Sequence, residues 1–174
     1  MALERKITYF DAPGEENTAA VLTIARERAK ELGIRRILIP SVRGASAEKA
    51  LDFFASDSFT LFFVGTDPSR FSPETKKHIE NAGFKLVFYK EVDYQYSDEV
   101  KNAFRRFGQG TKVAVELTLI AAQVEIVEPG NEVVALGGSS KGLDTALVTK
   151  AATSDEFYEL EISEILCKPR KTKT

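Results

Sequence analysis

Three short apolar runs, RRILIP (35–40), FTLFFVG (59–65) and KLVFYK (85–90), constrain the fold more than any other feature of the chain. Each is too short for a helix and too continuously apolar for a strand with one face in water. Such runs are strands buried on both faces, as in a parallel sheet covered by helices. The segments between them supply the helices. TAAVLTIARERAKELG carries apolar residues at helical spacing and ends on Gly33, a natural stop. SVRGASAEKALDFFA gives a loop and then a helix, with Ser46 as the expected N-cap. SPETKKHIENAG is a polar helix with a capping signal at Ser72. KITYF (6–10) adds a strand before the first helix, and the alternation predicts βαβ units.

The second half changes character. SDEVKNAFRRFG reads as helical. GTKVAVELTLIAAQVEIV is β-branched yet long and nearly all apolar. A single strand of that length would be unusual, so a helix is expected over 111–123. EVVALGG, DTALVTKA and FYELEISEILC then read as strands. The expected fold is an α/β three-layer sandwich: a mostly parallel sheet, helices on both faces, and an antiparallel strand pair at the C-terminal end.

The chain has 174 residues, enough for one domain, taken as 1–167, with the basic segment KPRKTKT (168–174) as a flexible, solvated tail. A net charge of -2 gives no bulk attraction to nucleic acid or anionic membrane. The single cysteine, Cys167, rules out an internal disulfide and fits a cytoplasmic setting. The N-terminus lacks a secretory h-region, and no apolar run reaches the roughly 18 residues of a membrane span.

Two loops carry the candidate chemistry. The first, PSVRGAS, leaves a strand and enters a helix, the arrangement in which backbone N–H groups meet an anion. Ser41 and Ser46 offer hydroxyls and Arg43 can clamp a phosphate bidentately; the alternative is that Ser46 merely caps and Arg43 is solvated. The second, GGSSKGLDT, lies between two strands. It fails the Walker pattern, because Lys141 precedes Gly142 and a strand follows, and it fails the Rossmann spacing. What remains is a hairpin turn or an anion-binding nest of free N–H groups, two hydroxyls and one ammonium.

As a pair, ILIPSVRGASA and GNEVVALGGSSKGLDTALV resemble the C-terminal α/β domain of pyruvate kinases, with TLFFVGT falling in place between them. YFDAPGEENT and VAVELTLIAA are similar to stand-alone proteins built on that domain, whose role is generally unassigned. The resemblance spans roughly residues 16–150. It implies a regulatory type of site in which the two loops hold a phosphorylated effector. The implied contacts are Ser41, Arg43, Gly44 and Ser46 from the first loop, and Gly138, Ser139, Ser140, Lys141, Gly142 and Thr145 from the second. Two departures stand out. Pro40 replaces a hydroxyl residue, and Lys141 is not flanked as in the family's effector loop. At this length the family's catalytic barrel is missing, so pyruvate kinase activity is not expected.

Other residues compete for a role. Asn17 and Thr18 stand where the first strand hands over to the first helix, and either line the ligand rim or cap that helix. Glu116 interrupts an apolar segment; a buried carboxylate needs a partner, and Lys112 is one helical turn away. Its functional reading is a carboxylate on the ligand rim. Asp144 is expected to orient its loop through local N–H bonds. His78 is the lone histidine, on a polar helix, so no metal cluster and no nucleophilic triad can be assembled. Tyr94 and Tyr96 are expected to pack, within the chain or at a subunit contact of a homo-oligomer. The expected function is a small-molecule-binding protein that holds a sugar phosphate, a nucleotide or flavin mononucleotide between the two loops. The alternatives are an enzyme on a phosphorylated metabolite with Glu116 as acid or base, and a structural homo-oligomer.

Overall fold

A computed structural model describes residues 1–171. Seven strands form one sheet: β1 (Thr8–Phe10), β2 (Arg36–Ser41), β3 (Thr60–Gly65), β4 (Lys85–Phe88), β5 (Glu132–Gly137), β6 (Thr145–Lys150) and β7 (Glu161–Pro169). Among the described residues five α-helices join them: α1 (Thr18–Leu32), α2 (Ala45–Phe54), α3 (Pro73–Asn81), α4 (Asp98–Arg105) and α5 (Gln109–Gln123). The spatial order is β1-β7-β6-β5-β2-β3-β4. β6 runs antiparallel to both β5 and β7, and every other pairing is parallel.

The strands divide their side chains by the period of two that a pleated strand imposes. Ile37, Ile39, Leu61, Phe63, Val134 and Leu136 enter one core with α1, α2 and α3. Leu38, Phe62, Val64, Val133 and Ala135 enter the other, against α5. This is why the central runs looked apolar throughout. The 111–123 segment is helical as its length implied, and eleven of the fifteen residues of α5 are buried. Gly33 ends α1 in the left-handed conformation, φ 68°, with its N–H and that of Ile34 returned to the last turn.

Three expectations need correction. The first strand does not pair with the second. β1 lies at the far edge beside β7, so the connection through α1 crosses over three strands. It is also shorter than KITYF, because only Thr8, Tyr9 and Phe10 find partners on β7. At the other end, Lys168 and Pro169 belong to β7, and the Arg170 N–H donates to the Phe10 carbonyl at 2.8 Å. The ordered fold therefore runs past Cys167; residues 172–174 of the expected tail lie outside the described residues. No helix among the described residues is long and apolar enough to cross a membrane.

Candidate functional site

The sheet order locates a cleft before any side chain is considered. β2 continues through α2 to β3 on one side, whereas β5 turns back through a loop to β6 on the other. The connections diverge above the β5–β2 boundary, which is a topological switch point, and ligands of open α/β sheets sit in the crevice there. A cleft of about 840 Å³ opens at this rim, and both candidate loops line it.

In the first loop, Ser41, Arg43 and Ser46 line the cleft. Ser41 is buried, and its Oγ accepts from the N–H of Gly44 at 3.1 Å and of Ala47 at 3.4 Å. The expected N-cap, Ser46, lies inside the helix; Gly44 holds the cap position at φ 106° and Ser41 does the capping from the strand end. Gly44 itself turns away from the cleft. A Cβ there would stand 2.9 Å from Thr75 Oγ1 on α3, so a side chain would be excluded by packing as well as by backbone conformation. Arg43 is exposed and makes no ion pair among the described residues.

The second loop is a hairpin connection, as its flanking strands required: Gly137 pairs with Thr145 across it. Gly138, Ser139, Ser140, Lys141 and Gly142 all line the cleft. Asp144 organises the loop as expected. Fully buried, it accepts the Ser139 N–H at 3.0 Å on one oxygen and the Thr145 hydroxyl at 2.9 Å on the other. Burial pushes its carboxyl pKa above the ordinary value, against the pull of those hydrogen bonds. The N–H groups of Ser140, Lys141 and Gly142 make no hydrogen bond among the described residues. Lys141 is exposed and unpaired within the same limits.

Thr18, Asn17 and Thr145 do not line the cleft. Thr18 is buried and its Oγ1 accepts the Leu143 N–H at 3.0 Å, tying the start of α1 to the hairpin loop. Gly142, at φ 69°, packs on this same junction; a Cβ would lie 2.5 Å from Thr18 Oγ1 and from the Cα of Glu15. Asn17 occupies the cap position of α1 but spends its side chain on the Ala12 carbonyl. Thr145 packs against Gly110 at the start of α5, where a Cβ would collide with its hydroxyl. Gly110 and Gly137 form a bare backbone contact that no motif in the sequence announces: a Cβ on Gly137 would collide with the Gly110 carbonyl.

The third wall comes from α4 and α5. Glu116 lines the cleft and pairs with Lys112 at 2.6 Å, the i, i+4 partner anticipated from the sequence; their side chains are 13% and 11% exposed. The Tyr94 hydroxyl donates to the other Glu116 oxygen at 2.9 Å. Burial and the nearby Glu116 charge push the Tyr94 hydroxyl well above the ordinary tyrosine range. Tyr96 packs inside the chain, on Phe157, and donates to the Lys112 carbonyl. Lys101, Arg105 and Gln109 also line this wall, and sequence reasoning did not place them there. The Thr66 hydroxyl, at the end of β3, is buried on the cleft without a partner among the described residues. His78 does not line the cleft; it is exposed, and its Nδ1 meets Glu48 at 2.6 Å.

No protein-family model matches this chain. Among solved structures it is similar to a pyruvate kinase from Cryptosporidium parvum, with 18% identity and a TM-score of 0.46. That match covers 76% of this chain and 22% of the pyruvate kinase, so the chain spans about a fifth of the protein it matches.

Proposed function

We propose that this protein binds a small phosphorylated ligand in the cleft between residues 41–46 and 138–142. The observation that carries the reading is the convergence of two unpaired cations, Arg43 and Lys141, on one cleft at the switch point of the sheet. Arg43 reaches the phosphate from one side, and the unpartnered N–H groups of Ser140, Lys141 and Gly142 offer a nest from the other. A sugar phosphate, a nucleotide or flavin mononucleotide each meets this chemistry, with Val64, Leu117 and Ile120 as the apolar part of the lining.

The binding reading is preferred to the enzymatic one because both Glu116 oxygens are engaged, one by Lys112 and one by Tyr94. As acid or base, Glu116 would have to release one of these partners or share an oxygen that already accepts a hydrogen bond.

A thermal-shift screen against phosphorylated metabolites and flavins tests the proposal. At a hundred times its dissociation constant a ligand of the native state stabilises by about 2.7 kcal/mol. Arg43→Ala and Lys141→Ala should each weaken that shift strongly while leaving the unliganded melting temperature in place. A ligand whose shift survives both substitutions would place binding elsewhere and overturn the two-loop site.

A further inference from the structure

We infer that β1 and the residues beside it form a self-complementary edge, through which two copies of this chain pair antiparallel about a two-fold axis at Thr8. The surface is separate from the cleft and does not depend on what the cleft binds.

An open sheet has two edges at which another strand can add, and here the two differ. β4, at one edge, exposes no large apolar side chain. β1 and its lead-in, at the other, expose several. Of the eight large apolar side chains exposed among the described residues, Met1, Leu3, Ile7 and Tyr9 all fall within residues 1–9. β6 is already paired on both sides, so the sheet ends at β1 and at the part of β7 that β1 does not reach. Both strands lie outside residues 16–150, the stretch with the family resemblance. Tyr94 and Tyr96, the other aromatic candidates for a subunit contact, are engaged within the chain.

The backbone of β1 is presented for pairing. The Arg170 N–H donates to the Phe10 carbonyl at 2.8 Å, so Phe10 turns its peptide groups towards β7. Peptide groups alternate sides along a strand, so Thr8 does the same, and Tyr9 and Ile7 face outward. An antiparallel newcomer hydrogen-bonds to the outward residues and leaves the inward ones as non-hydrogen-bonded pairs. A two-fold axis at Thr8 or at Tyr9 satisfies that alternation.

The side chains select Thr8. About Thr8, Ile7 stands opposite Tyr9 of the second copy, and Arg5 stands opposite its Asp11; symmetry makes each pair twice. About Tyr9, Ile7 meets a carboxylate instead, that of Asp11. Arg5, Ile7, Tyr9 and Asp11 are alternate residues and share one face of the strand. Aromatic pairs with β-branched residues and pairs of opposite charge are the cross-strand combinations that stabilise a sheet. All four residues are exposed in the single chain. Arg5 has only a 3.8 Å contact with Glu31, in which both side chains are at least half exposed. Asp11 makes no ion pair among the described residues. The Tyr9 ring is steadied by its strand neighbour Lys168, whose ammonium lies 5.5 Å from the ring centroid.

Sedimentation velocity over a range of protein concentrations, without added ligand, tests the edge. A concentration-dependent equilibrium of monomer and dimer is expected. Arg5→Glu and Asp11→Arg should each raise the dimer dissociation constant about tenfold, because each puts two like-charge pairs in place of two opposite ones. The double variant restores opposite charges in swapped order and should return to within about threefold of wild type. Ile7→Pro removes an N–H that points away from the sheet and lies outside β1. It should keep the melting temperature of the monomer and leave no dimer at concentrations where wild type is half dimeric. A monomer at every concentration overturns the inference, and so does a dimer that withstands all three single substitutions. Losses that the double variant fails to recover overturn the Thr8 register and the pairing with it. None of these outcomes touches Arg43 or Lys141, so the proposed function stands or falls separately.

Discussion

The two loops that face each other across the cleft are built on opposite plans. The 41–46 loop is short and is fixed by regular structure: a parallel strand ends, one turn follows, and α2 begins. The buried Ser41 hydroxyl holds it from the strand end, and the Ser72 N–H, just before α3, donates to the Arg43 carbonyl at 3.5 Å. The 138–144 loop closes an antiparallel hairpin and has no helix behind it. It is pinned instead by Asp144 from within, by Thr18 from α1, and by the bare contact of Gly110 with Gly137 at its base. In both loops the side chains that hold the backbone are buried, and the cations at the cleft, Arg43 and Lys141, are exposed. The difference is that the hairpin loop depends on residues from three separate stretches of chain.

That contrast can be broken most severely at the base of the hairpin. Gly137→Ala should destabilise the protein by about 2–3 kcal/mol, because the new methyl meets backbone rather than a side chain that can move. Urea unfolding measures it. A loss under about 0.5 kcal/mol would mean that α5 and the hairpin are not locked together.

Asp144→Ala should cost about 2 kcal/mol, since the Ser139 N–H and the Thr145 hydroxyl both lose a buried acceptor. Asp144 also gives the hairpin loop a dependence on pH. Its folded-state pKa is raised by burial, so its contribution is complete below the ordinary carboxylate pKa and is lost as pH rises through the raised value. Asp144→Asn removes this titration. Stability relative to wild type should therefore improve from pH 4 to pH 7, and a flat difference between the two unfolding curves would contradict the burial argument.

The smallest effects sharpen the comparison. Ser41→Ala and Thr18→Val should each cost about 1 kcal/mol, the first by uncapping α2 and the second by orphaning the Leu143 N–H. They should differ in reach. Amide exchange should quicken at the start of α2 in the first variant and across residues 138–143 in the second. Exchange confined to α1 in the Thr18 variant would show that the loop is held without it.

Much of this was legible in the sequence, for identifiable reasons. Continuous apolar runs announced buried strands, because both faces of the sheet are covered. The length of 111–123 decided helix over strand, and the spacing of Lys112 and Glu116 predicted their pair. Gly33, Ser72 and Asp144 did what their chemistry implied locally. The misses were non-local. Nothing in KITYF tells that its partner is β7, since strand periodicity fixes faces and not neighbours. Ser46 carried the local signature of a cap, but the Ser41 hydroxyl reached the same N–H groups from the strand side. Thr18 and Thr145 are polar residues near a rim, and only packing reveals that they point into the protein. SDEVKNAFRRFG read as a helix and no more, and nothing local could place Lys101 and Arg105 on a cleft whose two loops lie more than thirty residues away.

The antiparallel course of β6 has a consequence for how this site can be altered. Lengthening the 41–46 loop separates the Ser41 hydroxyl from the Gly44 and Ala47 N–H groups that it holds at the start of α2. The 138–144 loop starts and ends on paired residues, Gly137 and Thr145, so its tip carries no load from the strands. Residues inserted after Ser140 leave the sheet register and the opposite wall untouched, and closing a slightly longer loop costs little entropy. One side of the cleft is therefore a fixed jaw, and the other is a jaw whose reach can be reset by insertion at a single position.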